Sequence, residues 1–395
     1  MRLRVAAMLC SAFALCLAAC VSPRPLRETS PVRVGFIADL SAAAAAGGAD
    51  ALKGCELRVA EINAGGGIGG RRLELYSQDT RDSPAEAVTA YTQLVQDSGV
   101  SVVIGVATGA SGMAVGPVTE LSKVALLSLG TDDRLAVPDV EPDDPDKAGT
   151  PRAFAFLLQA SAIQSAQALA WYAVEHLTLN RFATLYDPVS PVSVLQARAF
   201  EGVVRRAGKT VAASVPLPAA DMAPAAAALG KAGPEAVYVC ASVESNAAAA
   251  RALRQSLPGA MLLGNEAWYA PLATLAGNAA DRAWFSMAFS PDDPAVAELA
   301  PAFAERFGSA PGPAAAAGWD AVGVVVAAVR KAGTSDPLKV RDALEQATAV
   351  KTLMGELDMD RRTHRPLFPS VAIMQVTGGS YRTVDARYVH RPPHS

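Results

Sequence analysis

An α/β fold built on parallel sheets follows from three features of this 395-residue chain. Short apolar runs alternate with helix-period segments along most of its length. The opening unit reads as strand, roomy small-residue loop, helix, glycine turn and strand. An acidic, proline-bearing stretch then divides the alternation into two series. Such alternation implies parallel strands joined by right-handed crossovers, and two series suggest two lobes.

The opening unit begins with the apolar run Val32 to Ala38. A loop of small residues, Ser41 to Gly48, follows. Leu52, Cys55, Val59 and Ile62 then recur at three- and four-residue spacing, one buried helical stripe. Asn63-Ala64-Gly65 stops that helix. In the next strand Leu73 and Leu75 alternate with Glu74 and Tyr76. Open α/β sheets bind ligands in the crevice outside the carboxyl ends of such strands.

The pattern continues with a helix from Ala85 to Asp97, a strand from Val100 to Val106, a helix around Met113 to Ser122 and a strand from Val124 to Leu129. Asp132 to Thr150, with Asp139, Glu141, Asp143, Asp144 and Asp146, reads as a solvated loop near a domain boundary. The second series has strands at Phe154–Leu158, Arg181–Tyr186, Val211–Val215, Ala236–Cys240, Ala260–Leu263 and Ala283–Phe289, with a helix at Ser161–His176. Helices at Ala295–Phe307, Ala314–Lys331 and Pro337–Ala347 follow. Shorter β segments close the chain at Glu356–Met359, Val371–Gln375 and Tyr381–Val384.

Hydrophobic residues make up 51% of the chain, enough for a large core, and the net charge of -3 with no basic block argues against nucleic acid as a partner. Arg2 and Arg4 precede a short apolar stretch, Val5 to Leu17, as in an export signal. Leu17-Ala18-Ala19-Cys20 resembles a bacterial lipobox, which implies cleavage before Cys20 and lipidation of its thiol. Residues 1–19 would be the signal and 20–31 an extended tether, so the membrane is touched only through lipid. Cys55 and Cys240 remain, each on an apolar element and expected to be a buried free thiol.

Enzyme chemistry finds no support. Gly65 to Gly70 contains G-x-G-x-x-G, but after a helix and before a strand, the reverse of a nucleotide loop. His176, His364, His390 and His394 lack metal-ligand spacing, and neither G-x-S-x-G nor H-E-x-x-H occurs. No catalytic residue, cofactor or metal is expected. Three strand-end loops are candidate ligand contacts. Thr108, Gly109, Ala110 and Ser111 lead into a helix, where free amides and hydroxyls suit a carboxylate. Ser128, Gly130 and Thr131 end the next strand. Glu266 ends a strand of the second series and suits an ammonium group. Trp268, two residues on, suits either a cleft wall or helix packing.

From Val34 to Asn63, and most specifically in Ile-Asn-Ala-Gly-Gly-Gly-Ile-Gly-Gly-Arg (Ile62 to Arg71) leading into Leu73-Glu74-Leu75, the chain resembles the bacterial periplasmic amino-acid-binding proteins of the Leu/Ile/Val type. That resemblance implies a type I periplasmic binding protein: two Rossmann-like lobes with parallel central sheets, joined by a three-crossing hinge. Residues 32–150 plus 290–346 would form one lobe and 151–289 plus 347–395 the other, with crossings near 151–156, 282–290 and 346–354. It implies a non-enzymatic receptor of an ABC importer, lipid-anchored on the extracytoplasmic or periplasmic face, that passes an amino acid or related small amide or carboxylate to a membrane permease. In the family a serine in the first of these loops holds carboxylate; Gly109 stands at its place here. Thr131 matches a threonine that binds the α-amino and α-carboxylate groups, and Glu266 matches the acidic residue that pairs with ammonium. The chain departs from the family elsewhere. Gly47, Pro191 and Ser242 stand where aromatic residues line the family's cleft, and Ala162 stands for an aspartate between the matching Ser161 and Gln164. These losses leave room for another ligand, or for a runner-up reading in which an envelope lipoprotein uses the fold as a regulatory or sensor protein-interaction module.

Overall fold

The computed structural model describes residues 29–41, 45–105, 109–141, 149–218, 222–269, 271–290 and 292–391. The first lobe opens with β1 (Val32–Ala38), α1 (Ala45–Ala64), β2 (Leu73–Asp79), α2 (Pro84–Gln96), β3 (Val102–Gly105), α3 (Gly109–Ser122), β4 (Ala125–Ser128), a short α4 (Asp133–Ala136) and β5 (Ala155–Leu157). These five strands form one parallel sheet in the order β2-β1-β3-β4-β5. The order reverses at β1, so the crevice outside β1 and β3 is the topological switch point of this sheet.

The second lobe runs α5 (Ala162–Glu175), β6 (Arg181–Tyr186), α6 (Pro191–Arg206), β7 (Thr210–Pro216), α7 (Ala223–Ala232), β8 (Ala236–Cys240), α8 (Val243–Ser256), β9 (Met261–Gly264), α9 (Leu272–Ala276) and β10 (Trp284–Met287). The chain then returns to the first lobe with α10 (Pro294–Phe307), α11 (Pro313–Ala332) and α12 (Pro337–Glu345), the hairpin β11 (Val350–Thr352) and β12 (Gly355–Leu357), and the short pair β13 (Met359–Asp360) and β14 (Arg365–Pro366). It ends back in the second lobe with β15 (Val371–Thr377) and β16 (Ser380–Tyr388). The second sheet has the order β16-β15-β10-β9-β8-β6-β7.

Two expectations are corrected. The expected lobe boundary at 150 puts β5 past the first crossing, yet Leu126, Leu127 and Ser128 pair with Ala155, Phe156 and Leu157. An apolar run carries no mark of which sheet it joins; here the Arg341 guanidinium of α12 donates to the Ala153 carbonyl at 2.6 Å and ties the strand to the first lobe. The third crossing also comes later than 346–354, because Ala347, Leu357 and Met359 are buried in the first-lobe core. The second sheet is parallel at its centre, as expected, and adds an antiparallel edge. β15 and β16 pair antiparallel through a two-residue turn at Gly378-Gly379. Both glycines have positive φ, +58° and +78°, the geometry that a tight hairpin demands and that residues with a Cβ resist.

The first lobe is completed by the contact of α11 with α1. A Cβ on Gly54 would lie 1.9 Å from the Ala315 carbonyl oxygen, and one on Gly318 2.1 Å from that of Ala51. The Cys55 thiol donates to the Gly318 carbonyl at 3.2 Å. α11 is long and apolar enough to cross a membrane, but 67% of its most apolar window is buried inside this lobe. Cys55 and Cys240 are both buried and form no disulfide. Cys55 belongs to the first-lobe core and Cys240 to the second, and burial pushes both thiols up.

The motif from Ile62 to Arg71 has a structural task. Asn63 ends α1 by accepting from the Leu73 amide at 2.8 Å and donating to its carbonyl at 2.9 Å. Gly67 has φ +76°, and a Cβ there would meet the Arg71 carbonyl at 2.0 Å. The Arg71 guanidinium donates to the Ser30 carbonyl at 2.6 Å and to the Ser335 hydroxyl at 2.7 Å, which fixes the point where the chain enters the lobe.

Candidate functional site

A cavity of about 290 Å³ lies between the lobes. On the first-lobe side Phe36, Ala38 and Asp39 come from the end of β1. Gly47, Gly48 and Ala51 come from the first turns of α1, and Gly105 ends β3. Ser111 comes from α3, with Leu129 and Thr131 after β4. Gln159 and Ser165 follow the first crossing, and Glu266 follows β9. Met287 ends β10 and Ala288 and Phe289 follow it, and Pro313, Ala314 and Ala317 open α11. The cavity therefore sits where the carboxyl ends of both sheets face each other.

Three of the expected contacts meet here. Ser111 is buried in the first turn of α3. Thr131 is half-buried after β4. Glu266 opens the single 3-10 turn Glu266–Trp268 and is half-buried, with both lobes around it. The Gln196 amide donates to its carboxylate at 3.2 Å, and Thr131 reaches it from across the cleft. Burial pushes the Glu266 carboxyl above the usual carboxylate range, a shift that hydrogen bonds from its own amide, Gln196 and Thr131 only partly offset. The nearby Asp133 pushes it further up.

The other expected contacts stand apart. Thr108 and Cys20 lie outside the described residues. Gly109 starts α3 with its Cα facing Asp132, and Ala110 is exposed. Successive helical residues point about 100° apart, so only Ser111 of this turn faces the cavity. The Ser128 hydroxyl accepts from the Gly130 amide at 3.0 Å and holds the turn rather than the cavity wall. Gly130 shapes that turn. Trp268 is not a cleft wall. Its indole is fully buried, donates to the Val239 carbonyl at 3.0 Å and fills the space beside Gly264, where a Cβ would meet it at 2.0 Å.

The departures from the Leu/Ile/Val type are visible in the geometry. A side chain started from Gly47 would meet no atom within 4 Å, so the cavity has open space at the place where the resemblance implied an aromatic. Pro191 opens α6, and Ser242 caps α8 by accepting from the Ser245 amide at 3.3 Å. Ser161 and Gln164 form a capping box at the start of α5, and the Ala162 amide donates to the Thr131 carbonyl at 2.7 Å.

A family model described as periplasmic binding protein matches residues 31–380. The chain belongs to the periplasmic binding protein family. This periplasmic binding protein is 27% identical over 340 residues to the Leu/Ile/Val-binding protein homolog 3 of Brucella melitensis, covering 82% of this chain and 86% of that one. The solved leucine-binding protein of Thermotoga maritima superposes with a TM-score of 0.72 at 21% identity, covering 91% of this chain and 99% of that one. A branched-chain amino acid transporter binding protein of Streptococcus pneumoniae, solved with isoleucine, gives 0.70 at 22% identity over 92% and 100%. The two-lobed fold is thus that of type I periplasmic binding proteins, which are binding proteins and not enzymes. Membership implies an extracytoplasmic or periplasmic location.

Asp39, Gln159, Ser165, Met287 and Phe289 were not singled out from the sequence. Asp39 directly follows the apolar run of β1, so its place at a strand's carboxyl end was the available signal.

Proposed function

We propose that this protein is the ligand-binding component of an ABC importer, taking an amino acid or a related small amide or carboxylate into the interlobe cavity and presenting it to a membrane permease. The observation that carries this reading is the convergence of Glu266 from one lobe on Thr131 and Ser111 from the other. Glu266 would hold an ammonium group, while Thr131 and Ser111 supply hydroxyls. A ligand that touches both lobes favours the closed arrangement, and the permease reads that state. The printed descriptions of relatives as Leu/Ile/Val-binding and leucine-binding support the amino-acid class. A thermal-shift screen of the mature protein against amino acids, amides and small carboxylates should find at least one stabilising solute. Silence across the whole panel would sink this reading in favour of a protein-interaction module.

Anchoring through Cys20 belongs to the same proposal, motivated by Leu17-Ala18-Ala19-Cys20. More than one acyl chain gives stable attachment, where a single chain holds only marginally. Cys20→Ala should leave the protein unprocessed or released from membranes. A variant that still fractionates with membranes at mature size would rule the anchor out.

A further inference from the structure

Glu266 is backed by a row of amide side chains. Gln196 on α6, Asn265 after β9 and Asn246 on α8 are all buried, and none of them lines the cavity. The Gln196 amide nitrogen donates to the Glu266 carboxylate at 3.2 Å, and the Gln196 oxygen accepts from the Asn265 amide nitrogen at 3.2 Å. The Asn265 oxygen accepts in turn from the Asn246 amide nitrogen at 3.0 Å. Both asparagine nitrogens also donate to the Ala241 carbonyl, at 3.1 Å from Asn246 and 3.4 Å from Asn265. A backbone carbonyl can only accept, so it takes the nitrogen end of each asparagine. Every link therefore donates in one direction, toward Glu266. A reversed Gln196 would turn its own carbonyl to the carboxyl group, which only a protonated Glu266 could answer.

We infer that Gln196, Asn265 and Asn246 are positioning residues of the site: rooted on the Ala241 carbonyl, their amides form a one-way chain that presents an N–H to Glu266 and keeps its carboxylate ionised and oriented for a cationic group in the cavity. The cationic group rests on the solute-receptor reading above, whereas the chain does not depend on it. The chain works against the surroundings of Glu266. Burial and the first-lobe Asp133 favour the neutral acid, and the Tyr238 hydroxyl and Cys240 thiol of β8 lie close enough to feel its charge. Asp133 is itself engaged by Arg365 and by the Ile163 amide at 3.0 Å. No lysine, arginine or histidine lines the cavity among the described residues. Hydrogen bonds from Gln196, Thr131 and the Glu266 amide are what favour the ionised form. Linked amides polarise one another, so the distant members of the chain strengthen the bond that Gln196 makes.

NMR titration of the Glu266 carboxyl carbon in the ligand-free mature protein tests this, with Glu266→Gln identifying the resonance. Gln196→Met keeps the length of the side chain and removes the amide. It should raise the titration midpoint by about one pH unit, tenfold in proton affinity. Asn246→Ala, in the alanine-rich α8, should give a smaller shift of the same sign. A packing role alone would lower the melting temperature of these variants and leave both midpoints in place, and that result overturns the inference. A shift in Gln196→Met with none in Asn246→Ala overturns the chain as well. If Gln196→Met does not fold, Asn246→Ala decides the question. If both midpoints shift while no solute of the thermal-shift panel stabilises the unaltered protein, the chain stands and the receptor reading falls.

Discussion

Glu266→Ala should weaken ligand binding by roughly thirty-fold or more. Removing one member of a buried charge pair costs on the order of 2–5 kcal/mol, because the other charge is left stranded, and about 1.4 kcal/mol is a factor of ten. The half-buried Glu266 sits between the lobes and its carboxyl is pushed up by burial, so its charged form lacks a full counterpart in the cavity. A bound ammonium supplies one. Thr131→Ala removes a single hydroxyl from the same place and should cost less, on the order of 1–2 kcal/mol. Titration of both variants with the solute found by thermal shift checks the ranking. Unchanged affinity in Glu266→Ala would remove the ammonium site from this cleft.

The second large effect is expected far from the ligand. Gly54→Ala should destabilise the protein by about 3 kcal/mol, at the upper end of overpacking costs. The added methyl group meets backbone, the Ala315 carbonyl oxygen 1.9 Å away, and backbone cannot rotate out of the way as a side chain can. Relief requires α1 to move off α11. Gly318→Ala, which crowds the Ala51 carbonyl across the same seam, should behave alike. The double variant should then cost less than the two singles combined, since one separation of the helices relieves both clashes. Urea denaturation midpoints measure this. Midpoints equal to that of the unaltered protein would show that the helices do not approach so closely.

Much of the architecture was legible because strand and helix periods differ. The runs Val32–Ala38, Arg181–Tyr186 and Ala236–Cys240 form strands with those bounds. Periodicity identifies a strand but not its neighbour, so it tells neither which lobe β5 joins nor that β15 and β16 make an antiparallel edge. At the site, Ser111, Thr131 and Glu266 could be found because polar residues at strand ends follow a rule of the fold. Asp39 obeys the same rule but stands beside a loop of alanines that carries no chemical signal. Trp268 shows the opposite difficulty. An indole two residues from Glu266 suits a cleft as well as a core, and only the space left by Gly264 decides between them.

The seam between α1 and α11 also sets a timetable. Cys55 and Gly318, joined by a hydrogen bond, are 263 residues apart in sequence. A chain that emerges from its amino end therefore exposes β1 to β5 long before α11 arrives to cover them. Closing so long a loop is slow, and nothing nearer in sequence can take its place. Five strands of the second sheet, β6 to β10, are consecutive and can pair while the first lobe is still waiting, and β15 and β16 complete that sheet only at the end of the chain. The strands β1 to β5 should thus stay open to proteolysis until α11 has been made, although they are the first to be made.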